Sequence, residues 1–248
     1  MSVESFLYRL GDAVYSIGGR IWGFLMPFPS EHPPTSRCLK KVVKKPLSPH
    51  ELLSLRLQLA FLNYLIINLI LLFLKPSPLW LVGVAVVYFL YLRYTLVRNR
   101  EFFIDPKPYQ AFYYGISAVT LAAFLGYTLV RRVATSVYYY YSYLLVVFAA
   151  VMAFRWYFKE KYGRDYTYGV VEEIKGDVVR VFVHDDIAAN VKPGHYWVDA
   201  VEDLEVGRVV KLVVEDRKLK GAVPVRIIEV YLTDQSSQTP TEPKEEAE

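Results

Sequence analysis

Apolar residues crowd into four long uncharged runs, 57–74, 77–92, 108–130 and 133–154, and beyond about residue 162 give way to short alternating segments. About 20 apolar residues span a hydrocarbon core. The runs therefore predict four crossing helices, over about 57–74, 78–97, 109–130 and 136–156, the second continued past Arg93 because a long basic side chain near a helix end reaches back to the headgroups. A soluble core in so small a chain could not cover four such helices. Lys75-Pro76-Ser77-Pro78, Asp105-Pro106-Lys107-Pro108 and Arg131-Arg132 mark the connections, since proline disrupts a helix interior. Ser48-Pro49-His50-Glu51 has the S-x-x-E form of a capping box with proline at the first helical position. The first helix is therefore expected to begin about two turns before the membrane.

The remaining texture completes an α+β reading: a four-helix transmembrane domain over 48–160, preceded by an amphipathic helix and followed by a small β-barrel. Val3, Phe6, Leu7, Leu10, Val14, Ile17 and Ile21 recur at helical spacing, which predicts an interfacial helix over 1–29. A polybasic, proline-containing linker fills 30–47. After residue 162, strands are expected near 166–174, 177–184, 195–199, 206–215 and 223–232. Lys175-Gly176-Asp177 forms one tight turn and 217–221 another. Five short strands suggest closure into an OB-like or SH3-like barrel over 162–232, because closure removes exposed edges. The Ser, Thr, Pro and Glu-rich segment 233–248 reads as a disordered acidic tail.

Charge fixes an expected orientation. Eight Lys and Arg precede the first span, and Arg98, Arg100 and Lys107 follow the second, against Lys75, Arg131 and Arg132 on the other side. The positive-inside rule then places both termini in the cytoplasm of a multi-pass plasma-membrane protein. Tyr138 to Tyr141 and Tyr143 fall at the outer end of the fourth span, and Trp156 and Tyr157 at its inner end, as interfacial belts do. The formal charge of +4 divides into +10 over 1–156, −2 over 157–232 and −4 over the tail. A barrel of negative net charge lacks the footprint of a general nucleic-acid binder, although Arg208, Lys211, Arg217, Lys218 and Lys220 could form a local patch.

Candidate chemistry is sparse. Hydrophobic residues make up 54% of the chain and its mean hydropathy is +0.21, yet 22% of residues are charged, so apolar and charged residues are segregated as in a membrane protein. One cysteine, Cys38, leaves no disulfide framework and no Cys-rich metal site. No phosphate loop, nucleophile elbow or dinucleotide fingerprint occurs, so neither a catalytic residue nor a cofactor is assigned. His184, Asp186 and His195 are the candidate metal ligands, weak because their spacing matches no metal motif. Arg37, Lys40, Lys41, Lys44 and Lys45 are candidate headgroup contacts, at about 1 kcal/mol per basic residue near an anionic surface. Asn63 and Asn68, with the small-residue stripe Ala118, Ala122 and Gly126, are read as helix-packing positions that also suit a homo-oligomer seam.

Gly169-Val-Val-Glu-Glu-Ile, Ala189-Asn-Val-Lys-Pro-Gly-His-Tyr-Trp-Val198, Gly207-Arg-Val-Val-Lys-Leu-Val-Val-Glu215 and Pro224-Val-Arg-Ile-Ile-Glu-Val230 resemble an archaeal family of multi-spanning membrane proteins known as a domain of unknown function. The resemblance covers most of the chain and implies an archaeal plasma-membrane protein, without an activity. A more distant similarity of layout is to NfeD-like proteins, which also follow spanning helices with a small OB-type domain and associate with membrane proteases. No site residue carries over from them. The expected function is a membrane scaffold or adaptor that presents the barrel to a protein partner, in a role such as membrane-protein quality control. A small oligomeric transporter or channel, with Asn63 and Asn68 on its path, and a membrane tether for nucleic acid are the alternatives.

Overall fold

The computed structural model describes residues 12, 15–16, 18–19, 22–30, 33–34, 48–74, 77–201, 204–217 and 221–231. Four long helices come first: α1 (Pro49–Leu74), α2 (Pro78–Arg98), α3 (Pro106–Val133) and α4 (Tyr138–Tyr162). All four are long and apolar enough to cross a membrane. The capping box forms as expected, with Ser48 N donating to Glu51 Oε2 at 3.0 Å and Glu51 N to Ser48 Oγ at 3.2 Å. Ser77 and Asp105 cap α2 and α3 immediately before a proline, where the missing N–H costs nothing. The 26 residues of α1 make a helix of about 39 Å, some 9 Å more than the hydrocarbon thickness. Its first turns, carrying His50 and Ser54, therefore stand clear of the apolar layer.

Helix α3 is the hub, packing on α1, α2 and α4. Aromatic rings fill the α1–α2–α3 core: Tyr64 stacks on Tyr88 with centroids 4.3 Å apart, and Tyr109, Tyr113 and Phe103 are buried beside Leu53, Leu57, Leu92 and Leu96. Helix α4 joins through glycines of α3. A Cβ at Gly115 would run into the Phe154 ring, and one at Gly126 would lie 2.8 Å from Tyr143 Oη. Near the end of α2, Phe24 stacks on Tyr94 at 5.0 Å and Ser30 N donates to Arg98 O at 2.8 Å. Residues 22–25 are helical; most of the expected amphipathic helix, the five headgroup candidates of the linker and the acidic tail lie outside the described residues.

The sheet follows as β1 (Tyr166–Lys175), β2 (Val178–Val183), β3 (Gly194–Asp199), β4 (Val209–Arg217) and β5 (Gly221–Tyr231), in the order β3-β2-β1-β4-β5 with every ladder antiparallel. Alternate residues point inward, and Val171, Val179, Val181, Val183, Val210, Leu212 and Ile227 make its core, as period-2 patterning requires. Gly176 (φ 57°) makes the β1–β2 turn. The expectation of a closed barrel is corrected here: β3 and β5 form no ladder, and a single parallel bridge, Val191 to Ala222, joins that side. The reason is that β3 is short and that the chain before it turns back on itself: His184, Asp185 and Ile187 face the helices, and only Asn190 and Val191 reach the start of β5, at Ala222.

Gly169 lies where β1 is squeezed between its neighbours, and a Cβ there would strike Val181 Cγ1 and sit 3.0 Å from Phe182 O. Gly169→Ala is expected to destabilise the sheet by about 1–3 kcal/mol, read as a lower denaturation midpoint of the strand signal in circular dichroism of the full chain. An unchanged midpoint would contradict this packing.

Candidate functional site at the junction of helices and sheet

Helices and sheet meet at the turn that follows β2. Residues 186–191 close on themselves, with Asp186 N donating to Val191 O at 3.1 Å and Val191 N to Asp186 O at 3.0 Å. Asn190 takes the left-handed conformation (φ 55°), which Asn tolerates better than most residues. Its carbonyl accepts from Ala222 N at 2.8 Å, so the same turn anchors the start of β5. Asp186 is buried and fully engaged. Oδ1 accepts from Ala188 N and Ala189 N at 3.0 Å each, and Oδ2 from Thr167 Oγ1 at 2.8 Å and Arg164 Nη2 at 3.2 Å. A buried carboxylate requires that degree of compensation. Burial is the largest single influence on Arg164 and would lower its pKa, but the charge and hydrogen bond of Asp186, together with Tyr166 and Asp105, outweigh it and raise the value.

Asp185 faces the helices. Its carbonyl oxygen accepts two bonds from them, from Tyr109 Oη of α3 at 2.7 Å and from His50 Nε2 of α1 at 2.8 Å. A carbonyl can only accept, so this contact assigns the proton to Nε2. Ser54 Oγ, one turn beyond His50 on α1, donates to Asp185 Oδ2. The His50 ring stands edge-on to Phe103 and Tyr109, with centroids 5.9 and 5.5 Å away, and faces His184 at 6.2 Å. His184 Nδ1 is 3.9 Å from Glu51 Oε1, an ion pair when the imidazole is protonated. Beside these groups Ile187 packs against the helical core. Burial raises the Asp185 carboxyl above its ordinary value of 3.8, with the Ser54 bond offsetting part of the effect.

The arrangement is one of fastening contacts between helices and sheet. A cavity of about 10 Å³ bounded by Tyr109, Arg164, Asp185 and Ile187 has room for about one water. His50 Nε2 is spent as a donor and Ser54 addresses a carboxylate, so the two are not set as base and nucleophile. What the cluster does is tie α1, α3 and the β2–β3 turn at one carbonyl and one carboxylate.

The three metal candidates are placed apart. Asp186 is held by Arg164 and Thr167, His184 faces Glu51, and His195 Nδ1 lies 2.8 Å from Glu172 Oε2 on the outer face of the sheet. The Phe182 ring sits between the two histidines, 5.1 Å from each. Among the described residues no three His, Cys, Asp or Glu come together as a metal-binding group. Asn68 is buried and donates to Tyr64 O at 2.7 Å, whereas Asn63 lines a groove between α1 and α2. Gly126 meets α4, while Ala118 and Ala122 are exposed. Of the candidate basic patch, Arg208 pairs with Glu205 at 2.7 Å and Lys211 lies 3.6 Å from Glu229. Patterning along the chain singled out His184 and Asp186, on either side of Asp185, but not the helix residues that meet them. The available signal was His50 and Ser54 at i, i+4 in the protruding turns of α1, on one helix face.

Helices and sheet together define an α+β integral membrane protein. The chain belongs to the family described as "Predicted membrane protein (DUF2101)", whose model matches residues 21–228. No curated protein and no solved structure is matched by the chain.

Two outcomes are expected. Asp186→Ala leaves the partly buried Arg164 without its carboxylate and strands Thr167 and the N–H groups of Ala188 and Ala189, and should cost about 3–5 kcal/mol in thermal or denaturant unfolding. Asp185→Asn should act in the opposite sense. A carboxyl whose folded pKa lies above 3.8 contributes stability below 3.8 that is lost as pH rises through the folded value. The variant and the native chain should therefore unfold alike at acid pH and diverge toward neutrality, with the Asn form the more stable. Parallel curves would show that the Asp185 carboxyl is not held in a desolvated site.

Proposed function

We propose that this protein is a membrane scaffold or adaptor without enzymatic activity, which holds its sheet at a fixed position on the cytoplasmic face of the plasma membrane and presents it to a protein partner. Membrane-protein quality control is a process such a scaffold suits. The observation that carries the reading is the junction itself: a buried polar tie at the helix ends serves orientation, and an oriented domain is what an adaptor needs. The outer face of the sheet supports it. Trp197 on the edge strand β3 is 49% exposed and is flanked by Lys175 and Arg180, whose cationic heads lie 5.4 and 6.0 Å from its ring. Interface hot spots are rich in Trp and Arg, and an unpaired edge strand can take an added strand. The strand order β3-β2-β1-β4-β5 also supports the OB-type reading, in a partly open form.

Two measurements test this. Cys38 is the one cysteine, so a membrane-impermeant maleimide reports its side directly: labelling is expected only after the membrane is permeabilised, and labelling of intact cells would reverse the orientation. Affinity purification of the tagged chain from native membranes, compared with Trp197→Ala, should yield a partner that the variant loses. Recovery of the same proteins by both would remove β3 as the docking strand.

A further inference from the structure

A groove of about 750 Å³ runs along the flank where α1 and α2 meet. That volume is within the roughly 300–1,000 Å³ of ligand pockets. Its walls are mainly apolar, aliphatic and aromatic side chains together, with Asn63 among them, and Leu59, Ile67, Trp80 and Val87 on its rim are exposed, so it opens sideways onto hydrocarbon rather than toward water. Gly83 lies in its wall, and a Cβ there would meet nothing within 4 Å. From Arg56 to Ile67 along α1 the groove runs for roughly 16 Å at about 1.5 Å per residue, which is close to half of the ~30 Å hydrocarbon thickness. Its length is that of one leaflet.

The end nearest the sheet carries a fixed cation. Arg56 immediately precedes the apolar run of α1; its Nε donates to Tyr91 Oη at 2.7 Å, and its guanidinium carbon lies 5.5 Å from the centre of that ring. The contact orients the guanidinium while using one of its five N–H donors. Both terminal nitrogens remain without a protein partner among the described residues. A planar fork of free donors is the geometry that binds a phosphate through two bonds. A transmembrane helix in this groove would bring no complement for that charge, whereas a phospholipid brings acyl chain and anion at the spacing the groove provides.

We propose that the α1–α2 groove is a binding site for one anionic phospholipid of the leaflet on the sheet side, with an acyl chain along the Gly83 wall and its phosphate on Arg56. The site differs from a general attraction of basic residues for the surface, because it needs both the groove and the oriented guanidinium.

Native mass spectrometry of the full-length protein, released from mild detergent and offered an equal mixture of phosphatidylglycerol and phosphatidylcholine with identical chains, tests it. Both lipids carry the phosphate, but the trimethylammonium of phosphatidylcholine cancels its charge and is repelled by Arg56, so one phosphatidylglycerol is expected to be retained about tenfold over phosphatidylcholine. Arg56→Gln should equalise the two lipids and Arg56→Lys should restore part of the preference. Gly83→Phe should lower retention of both, with the helical signal in circular dichroism unchanged. Equal retention by the native chain, an undiminished preference in Arg56→Gln, or unchanged retention in Gly83→Phe would each overturn the proposal. So would a mass of two chains that Gly83→Phe reduces to one, since a second copy would then occupy the groove.

Discussion

One backbone carbonyl stands at the centre of the contact between the two halves of the molecule. Asp185 O lies at the end of a strand, and it accepts from a tyrosine of α3 and a histidine of α1 at 2.7 and 2.8 Å. Each of the three groups belongs to a different segment, and Tyr109 Oη and His50 Nε2 also lie 3.2 Å apart, so the three close into one buried polar contact. A buried donor or acceptor without a partner costs about 1–3 kcal/mol. The junction is therefore specified by the penalty for opening it more than by the gain on closing it. Asp186, one residue on, performs the same service inside the sheet domain, where it collects two backbone N–H groups, Thr167 and Arg164.

This constraint shapes the architecture around it. Helix α1 exceeds the membrane thickness and thereby delivers His50 and Ser54 to the turn; α3 starts with Pro106 and Pro108 and puts Tyr109 at the same level. His184, Asp185 and Ile187 are held on the helices, and the turn they begin leaves the sheet open between β3 and β5 apart from the Val191–Ala222 bridge. The open edge that presents Trp197 is thus a consequence of how the sheet is fastened. By contrast, Lys159 and Asp216, which join the end of α4 to β4, are both largely exposed, and a surface pair of that kind contributes little.

Local patterns made most elements legible. Long uncharged runs, prolines at the breaks and the Ser48 capping box marked the helices, because a hydrocarbon layer and the backbone impose those signals locally. Period-2 alternation marked the strands to within a few residues. Closure of the sheet was not legible, since it depends on where the β2–β3 connection is pulled by residues more than seventy positions away. The junction was half legible for the same reason: His184-Asp185-Asp186 is a conspicuous cluster, but His50 and Tyr109 look like an ordinary helix start and an ordinary interfacial aromatic. In the Asn190-Val-Lys-Pro-Gly segment, the left-handed Asn190 and its bond to Ala222 N supply a structural reason for that residue.

The most direct test is a distance measurement across the junction. With Cys38 replaced by serine, spin labels at the exposed positions Arg100, beyond the end of α2, and Val206, in the sheet domain, would report the relative placement of the two halves in a bilayer. A single narrow distance distribution is expected, broadening when Tyr109→Phe and His50→Ala remove both donors to the Asp185 carbonyl. A broad distribution in the otherwise native chain, or a narrow one that survives the double substitution, would contradict the claim that this carbonyl fixes the sheet on the helices.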